Sequence, residues 1–277
     1  MVFDKEKCLM VNTQNGINGS NTFEIIDEES KKPTEVMYGL LFNILKDNEN
    51  TEYGKKYKFS EIKTIKDYQK NVPIVTYEDL KPYVERMANG EKNILTSYFY
   101  NHFNETSATS GPAKMIPMTE KQSQIYIKYN NATIYGLLHK YGDSKWKYGR
   151  ALSTSEGCYR KLPSGLSVGA ASSKMAEFIK GGAEELNNML GIIYTSPVEA
   201  TNSNNGADRI YLETRFAMMD KEMTGVVTGF MSQIVHIFNY IGKNYRLIID
   251  DIRNGTISHD VMMPDDVRAT VEKRLYP

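Results

Sequence analysis

The chain has 277 residues, 40% of them hydrophobic and 25% charged, with 34 basic and 34 acidic side chains. That length can bury a substantial core, as one large domain or two small ones. A formal net charge of zero gives no reason to expect nucleic acid or an anionic membrane surface as partner.

The N-terminus, MVFDKEKCLMVNTQ, places charges where a signal peptide needs its apolar run. No stretch approaches the ~18 apolar residues of a membrane span, so a cytoplasmic protein is expected. Residues 11–22, VNTQNGINGSNT, are rich in Asn, Gly, Ser and Thr, which predicts a flexible N-terminal segment over 1–33 ahead of a domain over 34–277. TEVMYGLLFNILKD places Val36, Leu40, Leu41, Ile44 and Leu45 at helical spacing. Ser60 reads as the cap of a short helix entering EIKTIKDYQKN, and Val72–Val75 as a short extended run. Thr76, with Asp79 three residues on, opens a helix that ends at Asn89-Gly90.

NILTSYFYNHF is β-branched and aromatic and predicts a strand. It delivers the chain to NETSATSGPAKMIPMT, after which Thr119 caps a long amphipathic helix ending at Gly142. GRALSTS and GLSVGAASS read as short strands around a Pro-Ser-Gly turn at 163–165, and Val226–Val227 as another extended run. The alternation of helices and strands predicts an α/β fold of mixed sheets packed with helices.

Phosphates are held by backbone N–H groups in tight loops, by hydroxyls and by lysine. Thr106, Ser107, Thr109, Ser110, Gly111 and Lys114 bring those donors together within one loop, although the spacing is not that of a Walker A motif. On composition alone, a Ser/Thr turn with a surface lysine is the simpler reading. The four histidines are scattered, no G-x-S-x-G elbow is present, and Cys8 and Cys158 are expected as free thiols. Asp250 and Asp251 are adjacent on a helix and so point to different sides, which suits a cap and a salt bridge better than an acidic catalytic pair.

TSATSGPAKMIP resembles the first core motif of the adenylate-forming superfamily. More narrowly, NENTEYGKKYKF, IKDYQKNVPIVTYEDLKPYVERMANGEKNILT and DIRNGTIS resemble stretches of the auxin-responsive promoter family of acyl-acid amido synthetases, in the same order. The resemblance implies the N-terminal part of an adenylate-forming large domain. It also implies a two-step ligase that uses ATP and Mg²⁺ to join a small carboxylic acid to an amino acid. Thr106, Ser107, Thr109, Ser110 and Gly111 would then cradle the β- and γ-phosphates beside Lys114, and Tyr126, Tyr129 and Leu166 would shape the acyl pocket. Mg²⁺ would take no ligand from protein side chains.

The chain departs from that pattern in two ways. Ala108 stands where the family's loop has glycine, and a Cβ there obstructs the backbone if φ must be positive. The sequence also stops before the family's later adenine- and ribose-binding motifs and its C-terminal lysine. Two expectations follow. The chain is a truncated or split ligase, inactive alone and completed by a separately encoded C-terminal half, or it is a non-catalytic remnant that binds nucleotide or acyl acid and acts through a partner.

Overall fold

The computed structural model describes residues 4–106, 112–154, 159–170, 190–201 and 207–275. The chain divides into two compact units, one of residues 21–133 and 160–171 and the other of residues 1–20, 134–159 and 172–277.

The first unit is built on a sheet. Helix α1 (Lys5–Ser30) ends in it, and α2 (Pro33–Asp47) follows with proline in its first turn, where the missing N–H costs nothing. Thr51 opens α3 (Glu52–Lys56), its Oγ1 accepting from the Gly54 N–H at 2.9 Å. Helix α4 (Ile65–Asn71) starts at Thr64 rather than at Ser60. The Asp67 carboxylate accepts the Thr64 N–H while Thr64 Oγ1 accepts the Asp67 N–H, a reciprocal pairing that Ser60 with Lys63 three residues on cannot make. After residues 72–75, which pair with no described strand, α5 (Tyr77–Ala88) begins at Thr76, whose N–H donates to Asp79 at 2.8 Å. It runs out at Gly90, where φ is +101°.

Strands β1 (Tyr100–Glu105), β2 (Met115–Thr119), β4 (Tyr159–Lys161) and β5 (Ser167–Gly169) form one sheet in the order β2-β1-β5-β4. Strand β1 is antiparallel to β2 and parallel to β5. Val84, Met87 and Ile94 meet Tyr100, Phe103 and Val168 in the core between α5 and the sheet. The β4–β5 connection turns at Gly165, where φ is +86°. Thr119 caps α6 (Glu120–Asn131), its Oγ1 accepting from the Gln122 N–H.

The sequence predicts one helix from Thr119 to Gly142, but the structure interrupts it. A π-helical turn over Ala132–Gly136 separates α6 from α7 (Leu137–Tyr141), and the chain passes between units inside that turn. A Cβ on Gly136 would lie 2.6 Å from the Gly19 carbonyl oxygen, so the turn sits where two backbones approach too closely for any side chain.

The second unit contains the first part of α1, strands β3 (Ala151–Ser153) and β6 (Gly225–Val227) paired in parallel, and helices α8 (Val198–Thr201), α9 (Arg209–Met219), α10 (Met231–Asn254) and α11 (Asp265–Glu272). Helix α9 is buried on nearly every face, and Tyr211, Leu212 and Phe216 pack with Ile257, Val261 and Val271. Of the paired aspartates, Asp250 stays exposed beside Arg253, while Asp251 turns inward. The Asp251 carboxylate accepts from Tyr211 Oη at 2.5 Å, the Ser258 N–H at 3.0 Å and Thr256 Oγ1 at 3.2 Å. Burial first, and that carboxylate second, push the Tyr211 hydroxyl far above its ordinary range.

Residues 11–22, read from sequence as flexible, lie within α1. The Asn and Gly content serves close packing. Cys8, Asn12, Gly16 and Gly19 share the buried face, Asn12 Nδ2 donates to the carbonyls of Lys147 (3.2 Å) and Gly149 (3.3 Å), and a Cβ on Gly16 would lie 2.8 Å from His139 Nδ1. Burial pushes the Cys8 thiol up to about 11.

Gly136→Ala is expected to destabilise the protein by about 1–3 kcal/mol, the usual cost of an added methyl that backbone must move to admit. Urea unfolding of the variant checks this, and an unchanged midpoint would show that α1 does not pack as described.

Candidate functional site

The loop singled out by the sequence leaves from β1 and returns through β2, so its context is strand–loop–strand–helix. Residues 100–105 and 115–119 pair in antiparallel register, with Glu105 opposite Met115 and Phe103 opposite Pro117. At the mouth of the loop the Thr106 N–H donates to the Lys114 carbonyl at 3.0 Å, and the Lys114 N–H donates back to Thr106 Oγ1 at 3.0 Å. The two ends of the loop are thereby clamped together. Tyr77, the first residue of α5, braces the same point from outside the hairpin. Its hydroxyl accepts the Met115 N–H at 3.0 Å and faces the Met115 carbonyl at 3.4 Å. The Lys114 ammonium lies 5.6 Å from the centre of the Tyr77 ring.

Behind the loop, β1 is tied to β5 by more than its ladder. His102 is fully buried, and its Nδ1 lies 2.8 Å from Ser167 Oγ. On β4, Arg160 donates to Glu105 at 2.6 Å, which fixes the last residue of β1 before the loop. The helix after the hairpin is held at its start, where Lys121 Nζ donates to Asp47 Oδ2 and Tyr98 Oη, both at 2.6 Å, and Tyr98 donates to Asp47. Lys121, and after it Tyr98, hold the Asp47 carboxyl below the usual carboxylate range. Burial, followed by Asp47, pushes the Tyr98 hydroxyl up.

Of the residues proposed for phosphate binding, the structure brings Thr106 and Lys114 together. Ser107, Thr109, Ser110, Gly111 and the departure at Ala108 lie outside the described residues. Tyr126 and Tyr129 stand on an exposed face of α6, 61% and 37% accessible, with Tyr129 Oη 3.4 Å from Glu29. Leu166 instead packs against the buried core of the sheet unit. Among the described residues no group of His, Cys, Asp or Glu is arranged to hold a metal ion. No described helix is long and apolar enough to cross a membrane.

The sequence pointed to neither Tyr77 nor the Asp47–Tyr98–Lys121 cluster as a brace. Tyr77 shows only as part of a helix start. Asp47 and Lys121 are 74 positions apart, so no local pattern links them. Strand β2 was also missed, because Pro117 breaks the look of a strand. A proline is admitted on an edge strand, and β2 is the outermost strand of its sheet.

The family model described as the GH3 family N-terminal domain matches residues 22–277. The chain belongs to the GH3 family. Indole-3-acetic acid-amido synthetase GH3.2 of Arabidopsis thaliana is 27% identical over 268 residues, covering 92% of this chain and 46% of that relative. The 4-substituted benzoates-glutamate ligase GH3.12 of the same plant is 29% identical over 232 residues, covering 79% of this chain and 38% of that enzyme. Among solved structures, GH3.15 acyl acid amido synthetase superposes with a TM-score of 0.73 at 22% identity, covering 90% of this chain and 43% of its own length. The fold is therefore that of the N-terminal part of a GH3 enzyme. This GH3 chain spans less than half the length of the relatives it matches.

The Asp47 carboxyl titrates lower in the fold than in an unfolded chain, where aspartate sits near ~3.9. Its pairing stabilises the fold above that value, and the contribution is lost as pH falls through the folded-state value. The two side chains are 43% and 36% exposed, so screening keeps the pair below about 1 kcal/mol. Lys121→Met is expected to lower the urea midpoint slightly at neutral pH, and the difference from wild type is expected to shrink as pH falls through the lowered folded-state value of Asp47.

Proposed function

We propose that this chain carries the phosphate-gripping part of an ATP-dependent acyl-acid amido synthetase. In the first step a carboxylate oxygen of a small acid attacks the α-phosphorus of ATP, and pyrophosphate leaves. In the second an amino acid's amine attacks the acyl carbon, AMP leaves, and the amine nitrogen gives up a proton. Mg²⁺ would arrive on the nucleotide and offset charge on the departing pyrophosphate.

The observation that carries this reading is the clamp between Thr106 and Lys114 at the mouth of the hairpin loop. It brings together the two ends of a hydroxyl-rich segment, with a lysine at one of them. Hydroxyls and an ammonium suit phosphate oxygens, and donors fixed before the reaction stabilise developing charge without reorganising. In this reading Thr106, Ser107, Thr109, Ser110 and Gly111 receive the β- and γ-phosphates and Lys114 pairs with their charge. Tyr126 and Tyr129 are proposed to meet the acyl acid, with Leu166 supporting that side through the core. Membership of the GH3 family supports the reaction class.

Because the chain spans 46% of one amido synthetase relative and 38% of a glutamate ligase relative, the complete reaction is proposed to need the C-terminal half that those relatives carry. The alternative is a non-catalytic protein that binds nucleotide or acyl acid and acts through a partner.

Titration calorimetry with Mg-ATP tests the loop. Ser107→Ala and Lys114→Ala are each expected to weaken binding about tenfold, the loss of one charge-assisted hydrogen bond. Equal affinities in wild type and both variants would remove the loop from the nucleotide site. The isolated chain is expected to give no acid-dependent exchange of pyrophosphate with ATP, and clear exchange by purified protein would contradict the need for a second half. Exchange that appears when a C-terminal half from a relative is added would favour the split ligase over the non-catalytic alternative.

A further inference from the structure

Helix α10 is apolar on two faces. One is used inside the chain, where Ile237 lies in the core with Leu152 and Ala217, Ile248 is buried, and Tyr240, Leu247 and Ile252 pack against the cluster built on α9. The other is open. Met231, Val235, Phe238, Tyr245 and Ile249 are all exposed, Met231 to 75% and Phe238 to 65%. A surface helix needs a single apolar stripe to hold it to its core, so a second stripe of this length calls for a second partner.

The spacing says what kind. Together with Gly242, the exposed residues fall at 231, 235, 238, 242, 245 and 249, in alternating steps of four and three along about 27 Å of helix. That is the seam by which one helix packs lengthwise on another, each side chain seated among residues of the facing helix.

Gly242 lies within the seam. Glycine is a poor helix former, and nothing inside the chain requires it here, because a Cβ at 242 would meet no atom within 4 Å. The seam also reads the same in both directions about position 240. Set against an antiparallel copy of itself, Met231 meets Ile249, Val235 meets Tyr245, and the bulky ring of Phe238 meets Gly242, which has no side chain. Each copy's ring fills the gap at the other's glycine.

Charge favours the same direction. On the solvent flank of the seam, Ser232, Asn239, Arg246 and Arg253 follow at steps of seven, and Arg253 already pairs with Asp250. An antiparallel copy lays Arg246 beside Ser232 and Asn239 of the second copy, whereas a parallel one lays Arg246 beside Arg246. Antiparallel helices also set opposite ends of their dipoles together.

We propose that α10 pairs with the same helix of a second copy of this chain, antiparallel, with Phe238 of each copy lying over Gly242 of the other. A flat lipid surface would take up the apolar residues but gain nothing from the gap at Gly242. The C-terminal half carried by the relatives is the competing occupant, and the fit of Phe238 to Gly242 favours a second copy over it. The inference stands apart from the nucleotide reading of the hairpin loop, and neither result decides the other.

Sedimentation equilibrium of the full chain tests the pairing. The 31.6 kDa chain is expected to approach twice that mass as its concentration rises past about 10 µM, the range of small reversible interfaces. Phe238→Glu, at an exposed position, should leave a monomer even at about 100 µM. Its urea midpoint should match wild type at about 1 µM, where both chains are monomers. Gly242→Ala separates pairing from folding. It should raise the midpoint at that low concentration, because alanine is the better helix former, yet weaken the dimer about tenfold, because the added methyl occupies the seat of the facing ring. Wild type that stays monomeric at about 100 µM would overturn the proposal. A dimer indifferent to Phe238→Glu would also overturn it by placing the contact on another face, and one indifferent to Gly242→Ala by placing it in another register. A monomer that binds the C-terminal half of a relative, and loses it in Phe238→Glu, would overturn the proposal in favour of that half.

Discussion

A loop between two paired strands must come back to where it started, and the reciprocal bonds between Thr106 and Lys114 impose that return. The candidate site depends on this closure. Buried His102 and Ser167 lock β1 to β5, the β1–β2 ladder sets the register, and Tyr77 carries the constraint into α5. The hydroxyl of Tyr77 serves the backbone of Met115, so the brace does not depend on which side chains the loop carries. At the mouth, position is fixed by main chain together with the hydroxyls of Thr106 and Tyr77.

The other unit has its own constraint. A carboxylate taken out of water needs hydrogen-bond donors, and Asp251 finds three. Those bonds tie the first turn of α9 to the turn that follows α10. Arg215 adds a bond from its guanidinium to the Asp251 carbonyl at 2.8 Å. A helix buried on nearly all sides thus acquires a fixed rotation, which apolar packing by itself leaves loosely defined.

Much of this was legible in the sequence wherever the cause is local. Thr76 with Asp79, the cap at Thr119 and the glycine after α5 are short-range rules, and they appear where residue type places them. Family membership was legible because several separated stretches agreed in order. What escaped was non-local or ambiguous. Asn12, Gly16 and Gly19 look like loop residues until a neighbour is found that needs them small. Ser60 looks like the cap, but only Thr64 has an aspartate three residues on to complete the reciprocal pairing. At the site, the hydroxyl-rich run and Lys114 announced themselves, whereas the residues that hold the loop's mouth in place did not. Tyr77 is 38 positions from Met115, and no period in the chain marks such a partnership.

Pro117 has a further consequence. It lies on β2, the outermost strand of its sheet, directly across from Phe103. A free sheet edge invites the same edge of a neighbouring molecule, and at high concentration such pairing grows into aggregates. Proline interrupts the outer row of donors that pairing would need. The strand that carries the chain back from the candidate loop therefore also discourages runaway stacking on the flank beside it, and the protein can hold that loop at an exposed margin without offering the margin as a template for insoluble growth.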